Sequence, residues 1–197
     1  MIYGASSAVG SYALQLASKS NIHPIIAVAG RAQPHVEKFL DRSKGDTIVD
    51  YRSGDEAVVK GIKAALASNN QTKLLHAFDA VSEKGSVENI AQVLDPHHGA
   101  VTFVLPGKEY KGFSESVHLT CTNVGDVHNS MKDFGYVYSR FLSRGLEEDW
   151  FKAQPQEVVP GGLEGVAKGL ANLKDGTVSA VKYVFRVGDT PGAGSGQ

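Results

Sequence analysis

Cysteine is almost missing from this chain: Cys121 is the single one in 197 residues. One thiol forms no internal disulfide and supplies no multi-thiolate zinc site, so an intracellular redox setting is expected. An excess of either charge is also missing, with 20 Lys and Arg against 21 Asp and Glu. That balance offers no basic field for a phosphate backbone, and nucleic acid is excluded as an expected partner. No apolar run approaches the roughly 20 residues that span a bilayer, so no membrane partner is expected. No basic stretch leads into an apolar one at the start, as a secretory signal would have. The cytoplasm is the expected compartment, although the first residues read like the interior of a longer chain. The seven histidines have no ligand spacing, His97 and His98 sharing one DPHHG turn, so no metal site is expected.

What is present is an ordinary globular composition, 42% hydrophobic and 21% charged, enough for one sizeable domain with an appendage. Short apolar runs at Ile22–Val28, Thr47–Val49, Leu74–Val81 and Ala100–Leu105 alternate with stretches of helical spacing at Ala8–Ser20, Pro34–Leu40, Glu56–Ala67 and Val87–Leu94. Apolar strands alternating with amphipathic helices predict an α/β fold, a parallel sheet covered on both faces. The right-handed crossover rule makes a doubly wound, Rossmann-type sheet the simplest solution. Its first strand is reduced to little more than Met1–Tyr3. Beyond Pro106 come a loop, an apolar stretch around Val117–Val124 that adds a strand, and a helix over Asn129–Leu146. A helix over Leu163–Leu173 and an alternating strand over Lys182–Val187 form a C-terminal helix-strand appendage. The domain expectation is therefore 1–146 for the nucleotide-type domain, 147–190 for the C-terminal segment and 191–197 for a Gly-rich flexible tail.

The chemistry is concentrated at the start. MIYGASSAVG leads directly into SYALQLASKS, which is strand, tight glycine turn and helix N-terminus. Such a junction aims unpaired N–H groups and the positive end of the helix dipole at one point, a ready pyrophosphate site. Gly4 permits the turn, Ser6 and Ser7 can donate to phosphate oxygens, and Gly10 lets the helix pack close to the sheet. The other reading is a plain strand-to-helix turn rich in small residues. About twenty residues after Gly10, where an NAD-specific site carries an acid that reads the ribose, stand Ala29, Gly30 and Arg31. A guanidinium without a competing carboxylate favours a 2′-phosphate, and Lys38 can add a second charge, so NADP(H) is expected over NAD(H). Read blandly, Arg31 is a solvated loop residue and Lys38 an exposed helix position.

The segment GASSAVGSYALQLA resembles the cofactor turn of the quinone oxidoreductase and enoyl reductase branch of the medium-chain dehydrogenases/reductases. It is most similar to the fungal trans-acting enoyl reductases of polyketide pathways and the fungal enzymes called zinc-binding dehydrogenases. DTIVDYR at Asp46–Arg52, AFDAVS at Ala77–Ser82, GAVTFVLPG at Gly99–Gly107 and the ending from Gly162 to Thr190 extend the similarity over the whole chain. The resemblance implies that Ser6, Ser7, Ala8 and Val9 lie along the pyrophosphate, with Gly30, Arg31 and Lys38 around the 2′-phosphate. It implies Tyr51 at the adenosine end, and Ser82, Leu105 and Pro106 near the nicotinamide and its ribose. Tyr51 as half-buried packing and Ser82 as a helix N-cap are the alternatives.

Such enzymes carry roughly 150 residues of catalytic domain before the nucleotide fold, a domain-sized unit, and here that part is expected to be lacking. The closing helix and strand would then have lost their partner, leaving an exposed apolar patch or an unpaired edge strand, and with it either a homodimer through the C-terminal strand or a changed packing. The expected activity is an oxidoreductase reaction, hydride transfer from NADPH to an activated C=C bond or a quinone of a small-molecule substrate. The alternative is a non-catalytic nucleotide-binding or interaction module. No residue stands out as a proton donor, Tyr110 and Lys108 being the nearest, so the catalytic residues are left unassigned.

Overall fold

The computed structural model describes residues 1–83 and 85–193; Lys84 and residues 194–197, most of the expected tail, lie outside the described residues. The chain divides into two compact units, Met1–Lys152 and Ala153–Gln197. In the first, β1 (Ile2–Tyr3), α1 (Ala8–Lys19), β2 (Ile26–Ala29), α2 (Gln33–Glu37), β3 (Thr47–Asp50) and α3 (Asp55–Ser68) come first. There follow β4 (His76–Asp79), α4 (Ser86–Ala91), β5 (Ala100–Phe103), β6 (His118–Cys121) and α5 (Lys132–Glu147). The six strands are ordered β3-β2-β1-β4-β5-β6, and all their pairings are parallel. The order reverses direction between β1 and β4, which is the doubly wound topology expected from the alternation.

Side-chain parity explains how both faces are covered. Neighbouring strand residues point to opposite faces, so Tyr3, Ile26, Val28, Val49, Val101 and Phe103 pack with α3 and α4 residues such as Val58, Ile62 and Ile90. Ile2, Ala27 and Ala29 pack the other way, against Leu14 of α1 and Val36 of α2. Even a two-residue β1 contributes one side chain to each core. Phe103 is fully buried and lies flat on Tyr110, with ring centroids 3.7 Å apart and planes 6° from parallel.

Several element boundaries differ from the periodicity, among them the ends of α2, β4 and α4, the starts of β2 and α5 and, in the second unit, the helix start at Val166 and the strand end at Val184. Two have a visible cause. β2 starts at Ile26 rather than Ile22, because the buried Asp46 carboxylate takes the Ile25 N–H at 2.7 Å and the His23 ring at 2.8 Å. Those groups are committed to a side chain, so they cannot enter the ladder. Likewise α5 begins at Lys132, after a 3-10 turn over Val124–His128 in which the Asn123 side chain accepts from the Gly125 amide. This helix leaves Phe134, Tyr136, Val137, Tyr138 and Phe141 substantially exposed.

In the second unit, β7 (Gln156–Val158), α6 (Val166–Lys174) and β8 (Lys182–Val184) form a helix on a two-stranded parallel sheet. The strand expected to stand unpaired therefore has a partner in its own chain. β7 escaped the periodicity because three exposed residues between Pro155 and Pro160 leave no alternation to read. The apolar exposure expected here is found on Leu163, Leu170 and Leu173. Among the described residues no helix is long and apolar enough to cross a membrane.

Replacing Phe103 by Ala is expected to lower unfolding free energy by about 4 kcal/mol, the cost of a large core cavity. Phe134→Ala on the exposed face of α5 should change it by less than about 0.5 kcal/mol. Urea unfolding of the two variants checks this, and equal losses would contradict the described packing.

Candidate functional site

The turn between β1 and α1 sits at the carboxyl end of the central strand, where the sheet order reverses. Its amides are pinned in sequence: Gly4 and Ala5 both donate to the Val28 carbonyl at 3.0 Å, and Ser7 N–H donates to Gly4 O at 2.9 Å. Ser7 is then the N-cap of α1, its hydroxyl oxygen accepting from Gly10 N–H at 3.0 Å. The Ser7 hydroxyl proton can still be given to a ligand, and the other first-turn amides, those of Ala8 and Val9, have no acceptor one turn earlier. No acid occupies the first turn of α1, so the positive end of its dipole is not offset there. Ser6, Ser7 and Ala8 are half-buried and Val9 is exposed, an open rim rather than a sealed turn.

Both glycines are sterically required. Gly4 has φ +76°, and a Cβ on it would come 2.5 Å from Val81 Cγ2 in the loop after β4. A Cβ on Gly10 would lie 2.2 Å from the Gly4 carbonyl oxygen. The helix start, the turn and the β4 loop are thus in mutual contact at the crevice.

At the next strand end, Gly30 is buried and Arg31 is exposed. Tyr51 covers Gly30, since a Cβ there would be 2.6 to 2.8 Å from the Tyr51 ring edge and hydroxyl, yet Tyr51 itself is 49% exposed. One side of the ring rests on backbone and the rest is open to a flat partner. Ala29 and Asp50 are register partners in β2 and β3, and Gln33 Nε2 donates to Asp50 Oδ2 at 2.9 Å. Sequence reasoning passed over Asp50, Arg52 and Gln33. The signal was the DYR triplet, whose significance depends on β3 ending level with β2.

Lys38 lies past the last turn of α2 and lines a cavity of about 500 Å³ with Gln15, Lys19, Asp41 and Trp150. His35, on α2, pairs with the buried Ser11 hydroxyl at 3.2 Å. Burial, and then the Lys38 charge, hold its imidazole below the ordinary histidine range. It therefore brings no positive charge at neutral pH.

On the other side of the turn, Asp79 closes β4 with a fully buried carboxylate. Its Oδ1 accepts from Val81 N–H at 3.0 Å and Ser82 N–H at 2.8 Å, and its Oδ2 accepts from Ser86 hydroxyl at 2.6 Å. Ser82, at φ +58°, donates its hydroxyl to Asp79 O and accepts from Val104 N–H, both at 3.0 Å. Its hydroxyl joins the ends of β4 and β5; α4 is capped by Gly85 instead. Leu105 is half-buried and Pro106 exposed in the loop after β5. Leu105 O accepts from Tyr110 hydroxyl at 2.6 Å, while Lys108 donates to Ser82 O at 3.3 Å and lies 3.8 Å from Glu83. Beneath them Asn89 donates to Tyr3 hydroxyl at 3.0 Å and to Asp55 at 2.9 Å. Burial pushes the Tyr3 phenol above its ordinary range.

The structure thus brings Gly4, Ser6, Ser7, Ala8, Val9 and Gly10 to one edge, flanked by Gly30, Arg31 and Tyr51 on one side and Ser82, Leu105 and Pro106 on the other. Among the described residues no group of three or more His, Cys, Asp or Glu is gathered as for a metal ion.

No family model matches the chain. The trans-enoyl reductase fsr4 of Gibberella fujikuroi is 52% identical over 165 residues, covering 84% of this chain and 48% of that protein. The trans-enoyl reductase ACTTS2 of Alternaria alternata is 29% identical over 196 residues, covering 95% and 54%. Among solved structures, the CurF ER cyclopropanase of the curacin A biosynthetic pathway superposes with a TM-score of 0.67 at 17% identity, over 93% of this chain and 53% of that one. The chain therefore spans about half the length of the curated relatives it matches.

Gly4→Ala is expected to cost about 2 kcal/mol, since the added Cβ meets both an unfavourable φ and Val81. Denaturant unfolding would detect this, and an unchanged midpoint would mean that the turn does not hold the described conformation.

Proposed function

We propose, from the premise that the chain is a homologue of the fungal trans-enoyl reductases with the nucleotide fold of the medium-chain dehydrogenase/reductase superfamily, that it binds NADP(H) for an oxidoreductase. The observation that carries this reading is the Gly4–Gly10 turn at the crossover point of a β3-β2-β1-β4-β5-β6 sheet. Open α/β sheets bind their ligands in that crevice. The amides of Ala8 and Val9 and the hydroxyls of Ser6 and Ser7 are the donors for a pyrophosphate. Tyr51 offers its open face to the adenine. Arg31 stands where an acid would select NAD, and pairs with a 2′-phosphate. Lys38 adds a longer-range positive charge. Ser82, Leu105 and Pro106 form the far wall, beside the nicotinamide and its ribose.

When bound, the nicotinamide supplies a hydride, and the substrate class that fits the named relatives is a small molecule with an activated C=C bond, or a quinone. The chain's own share is to hold the dinucleotide by its phosphates and to keep the ribose end dry under Leu105.

A second reading, a nucleotide-binding module that does not itself turn over substrate, is favoured by one observation. The hydroxyl of Tyr110 is donated to Leu105 O and the Lys108 ammonium is held by Ser82 O and Glu83. Neither is poised over the crevice as a proton donor.

Fluorescence titration separates the cofactors: NADPH should bind at least about tenfold more tightly than NADH, as a paired 2′-phosphate requires. NADH binding more tightly would overturn the choice. Arg31→Glu should weaken NADPH far more than NADH, by replacing attraction with repulsion; equal losses would remove Arg31 from the 2′-phosphate. NADPH oxidation assayed with an enoyl thioester and with a quinone decides between the two readings, turnover of either excluding the second.

A further inference from the structure

A carboxylate stands beside the proposed adenosine site, one strand over from the position where an NAD-selecting acid would be. Asp50 ends β3 level with Ala29, and neighbouring parallel strands lie only about 4.8 Å apart. Gln33, the first residue of α2 and two residues after Arg31, donates to its Oδ2, so the carboxylate is tied to the start of α2, next to the loop that would hold the 2′-phosphate. An exposed anion here would accept ribose hydroxyls and repel a phosphate, the chemistry of NAD selection.

Arg52 occupies that carboxylate. Its Nε lies 2.9 Å from Oδ1 and 3.1 Å from Oδ2, its Nη2 lies 2.6 Å from Oδ2, and its backbone N–H donates to Oδ1 at 2.9 Å. Hydrogen bonding to Arg52, above all other causes, holds the Asp50 carboxyl below its ordinary range, so the acid is ionised at neutral pH. The pair is solvent-exposed, its side chains 50% and 26% accessible, and such pairs contribute little to stability. Fold stability does not explain a bidentate clamp at this place.

We propose that Arg52 is a specificity-determining residue for the dinucleotide site: by neutralising Asp50 it makes a β3-end carboxylate compatible with the 2′-phosphate of NADPH. This rests on the nucleotide-binding reading above. Arg52 acts through Asp50, in contrast to Arg31, which contacts the phosphate itself.

A double-mutant cycle on the full chain tests it, with NADPH and NADH each titrated against wild type, Arg52→Gln, Asp50→Asn and the double variant at low salt. Arg52→Gln should lose about tenfold in NADPH affinity, the scale of one uncompensated charge at this range, with NADH unchanged or tighter. Asp50→Asn, which keeps the side-chain carbonyl that caps the turn, should leave NADPH binding intact or improved. Removing both should restore NADPH affinity to within about twofold of wild type. A double variant as weak as Arg52→Gln would show Arg52 on the phosphate directly and overturn the proposal. Equal losses of NADPH and NADH in Arg52→Gln, or no loss at all, would overturn it too. If wild type binds neither dinucleotide, the nucleotide-binding reading itself falls, which is a different result from a failed rescue.

Discussion

Gly10 touches the carbonyl oxygen of Gly4 at a distance that admits no side chain, 2.2 Å from an added Cβ, and this contact sets the angle at which α1 leaves the sheet. With the helix drawn onto the end of β1, its first-turn amides and the positive end of its dipole fall at the carboxyl ends of β1 and β4, where the strand order reverses. Everything else at this edge is arranged around that approach. Val81 rests against Gly4, Asp79 gathers the amides of Val81 and Ser82, and the Ser82 hydroxyl carries the connection across to Val104. A fully buried carboxylate would be costly without these donors. The two amides, together with the Ser86 hydroxyl, account for its burial and in return fix the loop geometry.

The strand order was legible because it follows from rules of low information content. Alternating apolar runs and helical stretches demand a parallel sheet, parallel connections demand one hand, and together they leave few topologies. Boundaries were less legible where a distant side chain intervened. Asp46, twenty-one residues from Ile25, takes the amide that would have begun β2; no local pattern contains that information. β7 is a similar case, for three residues between prolines have no period.

The glycine turn was legible residue by residue, since its atoms interact within a ten-residue window. The β2 and β3 ends, the proposed adenosine side, were legible only in part. Arg31 is visible at the end of a strand, whereas the cover of Tyr51 over Gly30 and the clamp of Arg52 on Asp50 depend on β2 and β3 ending in register. Lys38, the C-cap of the five-residue α2, also lines a cavity with Lys19 and Trp150, a neighbourhood that the helical pattern through Leu40 does not announce.

The two ends of the sheet have opposite chemistry. At the amino ends, an apolar cavity of about 610 Å³ is lined by Ile2, Leu16, Pro24, Ile25, Phe78 and Phe141, among others. Cavity size and apolar lining commonly point to a ligand site, yet a dinucleotide diphosphate placed there would meet a mostly apolar wall, with Ser20, His76 and Tyr138 among its few polar side chains. The carboxyl ends offer less enclosure and more matched polarity: helix amides, serine hydroxyls and Arg31, with the Asp50 and Asp79 carboxylates already holding donors of their own. For an anion the desolvation term dominates, so donor placement decides against cavity volume. The same balance explains why the Asp50–Arg52 pair bears on selectivity far more than on stability. In the folded chain alone it is a screened surface contact; beside a bound 2′-phosphate it determines whether the second charge at that edge is repelled or tolerated.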